Sequence, residues 1–105
     1  MSHTSNIILL CAIDDPGIED VQLYLKTQKR GALINIGREA GGGKFFEIEL
    51  WAAAYNHLNS EELMKTISEA KWEEEDQVSL IVYEENRDPI CFALKRSRII
   101  YRQER

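Results

Sequence analysis

Cysteine, proline and histidine are all scarce in this sequence of 105 residues, each occurring twice. Two cysteines that stand far apart, Cys11 and Cys91, argue against a disulfide framework and against a paired-cysteine metal site. Each lies within an apolar run and has no neighbour in the sequence that would lower the pKa of its thiol. We therefore expect both thiols to be buried and unreactive.

Long apolar runs are also missing, and none approaches the roughly 18 residues that cross a bilayer. The beginning of the sequence has no basic segment and no small-residue cleavage site of the kind found in signal peptides, so we expect a cytoplasmic protein. Hydrophobic residues make up 44% and charged residues 30%, which is typical of a globular protein. This length suits one domain over residues 1–105.

Negative charge dominates, and the net charge of −5 is unevenly distributed. Residues 1–94 contain 17 acids and 8 bases, whereas residues 95–105 contain 5 bases and 1 acid. An acidic body repels nucleic acid and anionic membranes and attracts basic proteins. We therefore expect a protein partner, and neither nucleic acid nor membrane.

The apolar pattern predicts alternating strands and helices. The predicted helices cover residues 16–30 and 60–71, and the predicted strands cover 7–13, 32–36, 45–54, 77–84 and 90–95, with 98–102 as an optional continuation. Asp15 with Pro16 predicts the start of the first helix, Gly31 its end, and Asn59 with Glu62 the start of the second. This order predicts an α+β two-layer sandwich with both helices on one face of a mostly antiparallel sheet. Its core would be ferredoxin-like βαββαβ with a terminal strand added.

Residues 45–54 alternate between two sets of side chains. We expect the helices to cover one set, comprising Phe46, Ile48, Leu50, Ala52 and Ala54. The opposite face would then expose Phe45, Glu47, Glu49, Trp51 and Ala53, joined by Ser79, Ile81 and Tyr83 if Val78, Leu80 and Val82 point inward. A mixture of aromatic rings and carboxylates on an open sheet face would indicate a binding surface.

Signals for catalysis, phosphate binding and metal binding are weak. In a small enzyme, His57 could act as a general base with Glu61 or Glu62 nearby. A histidine at a strand–helix junction more often has a structural role. The segment GREAGGGK lacks the first glycine and the final Ser or Thr of a phosphate-binding loop, and a strand follows it. Calcium loops space their ligands around a glycine, and the acids of residues 73–76 do not. We expect no enzyme activity, cofactor or metal.

The run of four acids after Trp72 should destabilise the fold. Glu73, Glu74, Glu75 and Asp76 repel one another and follow a predicted helix, whose C-terminal dipole disfavours negative charge. Either these residues form a solvated loop, or they were selected for something other than stability.

The stretch from residue 55 to residue 88 resembles the central part of small bacterial immunity proteins. The resemblance rests on Asn56-His57 in a turn, a short helix, Trp72, the acids of residues 73–76, and Val78, Leu80 and Val82 entering an acidic hairpin. Such proteins protect cells that carry polymorphic toxins, including contact-dependent growth inhibition systems. The resemblance implies a non-enzymatic, cytosolic protein that covers the active site of a cognate toxin domain, a nuclease being one such toxin.

The candidate partner-binding residues are aromatic anchors and carboxylates that imitate phosphate charge: Glu47, Glu49, Trp51, Trp72, Glu73, Glu74, Glu75, Asp76, Tyr83, Glu84 and Glu85. Trp72 has an alternative role as a core residue above the second helix. An alternative function is a self-associating regulatory or scaffold module of ferredoxin-like fold without catalytic activity. We expect a monomer or a weak homodimer.

Overall fold

Two helices and a six-stranded sheet make up the computed structural model, which describes residues 4–44, 46–95 and 98–103. The helices are α1 (Gly17–Thr27) and α2 (Ser60–Glu69). The strands are β1 (Thr4–Ala12), β2 (Ile34–Asn35), β3 (Ile48–Asn56), β4 (Ser79–Glu84), β5 (Ile90–Lys95) and β6 (Arg98–Gln103). Within these residues, no helix is long and apolar enough to cross a bilayer.

The sheet is antiparallel throughout, in the order β2-β3-β1-β4-β5-β6. The predicted fold class is therefore confirmed, because β1-α1-β2-β3-α2-β4 has βαββαβ connectivity in a sheet whose neighbours are antiparallel. Strands β5 and β6 extend this core beyond β4, and the optional continuation of the sequence pattern is a strand in its own right. Strand β2 is shorter than predicted, with two residues.

One face of the sheet, here called the covered face, packs against both helices. Ile7 and Leu9 of β1 are fully buried there, together with Val21 and Leu25 of α1 and Leu63 of α2. Val78, Leu80 and Val82 also point inward as predicted, with exposures of 1%, 3% and 2%. The opposite side, here called the open face, carries no helix among the described residues.

The helix ends follow the predicted capping signals only in part. Asn59 caps α2 as expected, since its Oδ1 accepts the backbone N–H of Glu62 at 3.1 Å. At the start of α1, Asp15 Oδ1 accepts the N–H of Gly17 at 3.1 Å. The predicted role of Gly31 is wrong: α1 ends at Thr27, and Lys29 takes the left-handed conformation with φ 57°.

The predicted orientation of β3 is also wrong. Trp51 and Ala53 pair with Leu9 and Ile7, so they lie on the covered face together with Glu49. Leu50, Ala52 and Ala54 therefore occupy the open face, and Phe45 lies outside the described residues. Both sets of β3 side chains contain apolar residues, so alternation showed that two faces exist without showing which is buried. Tyr55 lies on the same face as Trp51 and is buried. Its hydroxyl donates a hydrogen bond to the Gly31 carbonyl at 2.7 Å, so this orientation of β3 satisfies the polar atom of a buried ring.

Candidate functional site at one end of the sheet

The four acids after α2 form an ordered loop, here called the acidic loop (Glu73, Glu74, Glu75 and Asp76). The carboxylate of Asp15 holds this loop, because its Oδ1 accepts the N–H of Glu73 and its Oδ2 accepts the N–H of Glu74, both at 3.0 Å. Asp15 itself is 3% exposed. A buried carboxylate that accepts three backbone N–H groups is a strong anchor, since hydrogen bonds to a charged group are stronger than neutral ones.

The Trp72 side chain holds the same, N-terminal end of the loop, since Trp72 directly precedes Glu73. It is 8% exposed, and its indole Nε1 donates to the Ile67 carbonyl at 2.7 Å. Its ring lies directly against Gly17, where a Cβ atom would come within 2.3 Å of the ring carbons. Trp72 is therefore part of the core, as its alternative interpretation held, and the structure does not place it as an exposed anchor.

The acidic loop projects into solvent from these two anchors. Glu73, Glu74 and Asp76 are exposed, whereas Glu75 is half-buried. The loop borders an open depression of about 440 Å³. No group of three or more His, Cys, Asp or Glu side chains in the described part of the chain is arranged to hold a metal ion.

Further carboxylates lie at this end of the sheet, where β1 ends and β3 begins. Glu49 Oε2 accepts the N–H of Asp14 at 3.2 Å, and its Oε1 accepts the Trp51 indole N–H at 3.1 Å. Asp14 is adjacent in the chain to Asp15, which holds the acidic loop, and Glu47 is exposed just before β3. We call this region the acidic end, defined by Asp14, Asp15, Glu47, Glu49 and the acidic loop.

The acidic end also has exposed apolar side chains that the sequence did not single out. Ile13 is 54% exposed and Phe46 is 42% exposed. Together with Ile48, Asp14, Glu49 and Arg38 they line a depression of about 340 Å³. Both residues continue apolar strand patterns, so the sequence indicated core positions for them. An apolar anchor point beside carboxylates is an arrangement that suits protein recognition.

The remaining acidic candidates lie elsewhere. Glu84 Oε2 accepts the Ser5 hydroxyl at 3.5 Å, and Glu85 Oε1 accepts the N–H of Thr4 at 3.4 Å. Thr4 begins β1, and the nine residues of that strand span roughly 30 Å. Glu84 and Glu85 are therefore at the opposite end of the sheet from the acidic loop. Tyr83 is 51% exposed on the open face, apart from both groups of carboxylates.

Nucleophilic chemistry has little support at Cys11, although this thiol lies beside the acidic end. The thiol is fully buried and donates to Glu49 Oε1 at 4.0 Å. Burial, followed by the negative charges of Glu49 and Asp15, raises the pKa of Cys11 to about 12. A thiol with that pKa is protonated at neutral pH and is therefore a poor nucleophile.

The difference between the two cysteines can be measured directly. The expectation of a buried thiol is wrong for Cys91, which is half-buried on the open face. A disulfide reagent at neutral pH should therefore modify Cys91 and leave Cys11 unreacted until denaturant is added. The Cys91→Ser variant should therefore show no fast-reacting thiol while it is folded. A rapid reaction of folded Cys91→Ser would show that Cys11 is accessible and reactive.

His57 is exposed and has φ 56°. Its backbone carbonyl accepts an Arg30 guanidinium N–H at 2.7 Å. Among the described residues, the His57 ring makes no hydrogen bond to Glu61 or Glu62. The geometry therefore gives no support to a general base at this position.

No protein-family model, no curated protein and no solved structure matches this chain.

Proposed function

We propose that this chain is a cytoplasmic immunity protein that neutralises a basic toxin domain through its acidic end. The observation that carries the proposal is the anchoring of the acidic loop by Asp15, whose carboxylate accepts the N–H groups of Glu73 and Glu74. Asp15 fixes the N-terminal end of the loop, and the bond from the Val78 N–H to the Glu75 carbonyl, at 3.1 Å, fixes its C-terminal end. A loop held in this way can present several like charges without losing further backbone entropy on binding. The resemblance of residues 55–88 to immunity proteins supports the same class.

The chemistry of the acidic end suits a cationic partner. Its carboxylates would attract the basic cleft of a nuclease and occupy the places of substrate phosphates, which speeds association at low salt. The depression between Ile13 and Phe46 would accept an apolar side chain from the rim of that cleft. Glu84, Glu85 and Tyr83 lie outside this surface, so we do not assign them to the toxin contact.

Immunity proteins are commonly encoded beside their toxin, so the candidate partner is the C-terminal domain of the protein encoded by the neighbouring gene. The test is calorimetric titration of this chain with that domain. We expect one-to-one binding that weakens as salt is raised. The double variant Glu73→Gln/Glu74→Gln keeps the backbone N–H groups that bond Asp15, and it removes only two exposed charges. Its dissociation constant should rise about tenfold, since each exposed ion pair contributes about 0.2–1 kcal/mol.

The control is Glu61→Gln/Glu85→Gln, which removes the same charge from exposed positions outside the acidic end. We expect this variant to bind as the unmodified protein does. Absence of any binding would reject the proposed partner, and equal weakening by both double variants would reject the acidic end as the contact surface.

A further inference from the structure

The open face of the sheet is uncharged across its three central strands. The register places Ile8 between Ala52 and Ile81, and Leu10 between Leu50 and Ser79. None of the open-face positions in β3, β1 and β4 carries a charged residue, and all of these positions lie within the described residues. Cys91 and Ala93 extend the same surface onto β5.

Helices do not protect this face from water. The buried residues of both helices belong to the core cluster on the covered face, which includes Val21 and Leu25 of α1 and Leu63 and Ile67 of α2. On the open face Ile8, Leu10, Leu50 and Ile81 are only half-buried, and Ile34 at the edge is 62% exposed. An uncharged and largely apolar surface of this kind usually marks an interface.

We propose that two copies of this chain pair through their open faces, in a contact centred on Ile8, Ala52 and Ile81 rather than on the acidic loop. The area is adequate for a weak pair: strands β3, β1, β4 and β5, at about 3.3 Å per residue and about 4.8 Å spacing, give a face of roughly 480 Å² in projection. Side chains make the accessible area larger, and each partner of a stable complex buries about 800 Å².

Charge identifies the occupant as a second copy. An uncharged face offers no counter-ion to a basic toxin, whose cations would lose water there without finding a partner. A second copy of the same face would bring no charge from the three central strands into the contact. The acidic end lies where β1 ends and β3 begins, so the acidic loops of both copies would remain exposed.

Side-chain size also suits a two-fold symmetric contact between sheets. Ala52 and Ala54 leave shallow spaces beside the larger Ile8, Leu10 and Ile81. In a symmetric contact the large residues of one copy would enter the spaces of the other, as side chains interdigitate where two sheets stack about 10 Å apart.

Equilibrium sedimentation of the full chain tests this pairing, using the unmodified protein, Ile81→Lys and Leu23→Lys. Leu23 is 61% exposed on α1, away from the open face, so its variant controls for an added charge at an exposed leucine. Between about 1 and about 200 µM, a range that covers micromolar dissociation constants, the unmodified protein and Leu23→Lys should form dimers. Ile81→Lys should remain a monomer with an unchanged circular dichroism spectrum.

A monomeric unmodified protein at the highest concentration would overturn the proposal, as would an Ile81→Lys variant that dimerises equally well. The rate of Cys91 alkylation gives a second readout without any substitution, because Cys91 lies on the open face. This rate should fall as protein concentration rises, and a constant rate would contradict the pairing. The Glu73→Gln/Glu74→Gln variant should dimerise normally and Ile81→Lys should still bind the toxin domain, so the two proposals can fail independently.

Discussion

The substitution Gly17→Ala should lower the free energy of unfolding by about 3 kcal/mol, the upper end of the range for overpacking a core. The added Cβ would lie 2.3 Å from Cδ2 and Cε3 of Trp72, far inside van der Waals contact. The ring is not free to withdraw, because its indole N–H donates to the Ile67 carbonyl. Gly17 also bonds Asp15 through its own N–H, so the helix start cannot shift without disturbing the anchor of the acidic loop.

The matched control is Gly41→Ala, since a Cβ at Gly41 meets nothing within 4 Å. We expect that variant to stay within about 0.5 kcal/mol of the unmodified protein, as surface substitutions usually do. Urea unfolding followed by tryptophan fluorescence measures both. Equal stabilities for the two variants would show that the ring of Trp72 does not lie against Gly17.

The substitution Asp15→Asn should also lower the free energy of unfolding by about 3 kcal/mol at neutral pH, because backbone N–H groups lose a charged hydrogen-bond acceptor. Both carboxylate oxygens accept N–H groups, Oδ1 from Gly17 and Glu73 and Oδ2 from Glu74. An amide has one oxygen, so its NH₂ group would face at least one of these donors. Asp14→Asn is the control, because Asp14 is exposed and asparagine tolerates its φ of 59°.

The same substitution predicts a specific dependence on pH. Burial disfavours the Asp15 carboxylate, but hydrogen bonds from Glu73, Glu74 and Gly17 outweigh burial and lower its pKa below the ordinary 3.8. A lowered folded-state pKa contributes stability that is fully present above 3.8 and is lost as the pH falls through the folded-state pKa. The difference in the free energy of unfolding between the unmodified protein and Asp15→Asn should therefore shrink as the pH is lowered below 3.8. A difference that stayed constant would contradict the assigned hydrogen bonds.

Local sequence signals predicted those parts of the fold that depend on neighbouring residues. The Asn59 cap with Glu62 and the inward side of β4 were both predicted, because caps and strand alternation involve residues a few positions apart. Asp15 was predicted to cap α1, but the cap position is one residue later, at Pro16; the Asp15 carboxylate nevertheless accepts the N–H of Gly17, the first helical residue. Its bonds to Glu73 and Glu74 join residues 58 and 59 positions apart, for which no local pattern exists.

The candidate site was harder to predict for the same reason. Trp51 and Glu49 were assigned to the open face, and only pairing with β1 shows that they lie on the covered one. Sequence analysis found the acidic loop, because four adjacent acids are visible without a structure. It missed Ile13 and Phe46, since an exposed apolar residue cannot be distinguished from a buried one by its type alone.

Carboxyl footprinting of this chain, free and in complex with the neighbouring gene product, shows whether the acidic loop is the surface that contacts the toxin domain. A carbodiimide with an amine label reports the accessibility of each acidic side chain. We expect the labelling of Glu73, Glu74 and Asp76 to fall in the complex, while the labelling of Glu61 and Glu85 stays constant. Unchanged labelling of the acidic loop in a verified complex would contradict it.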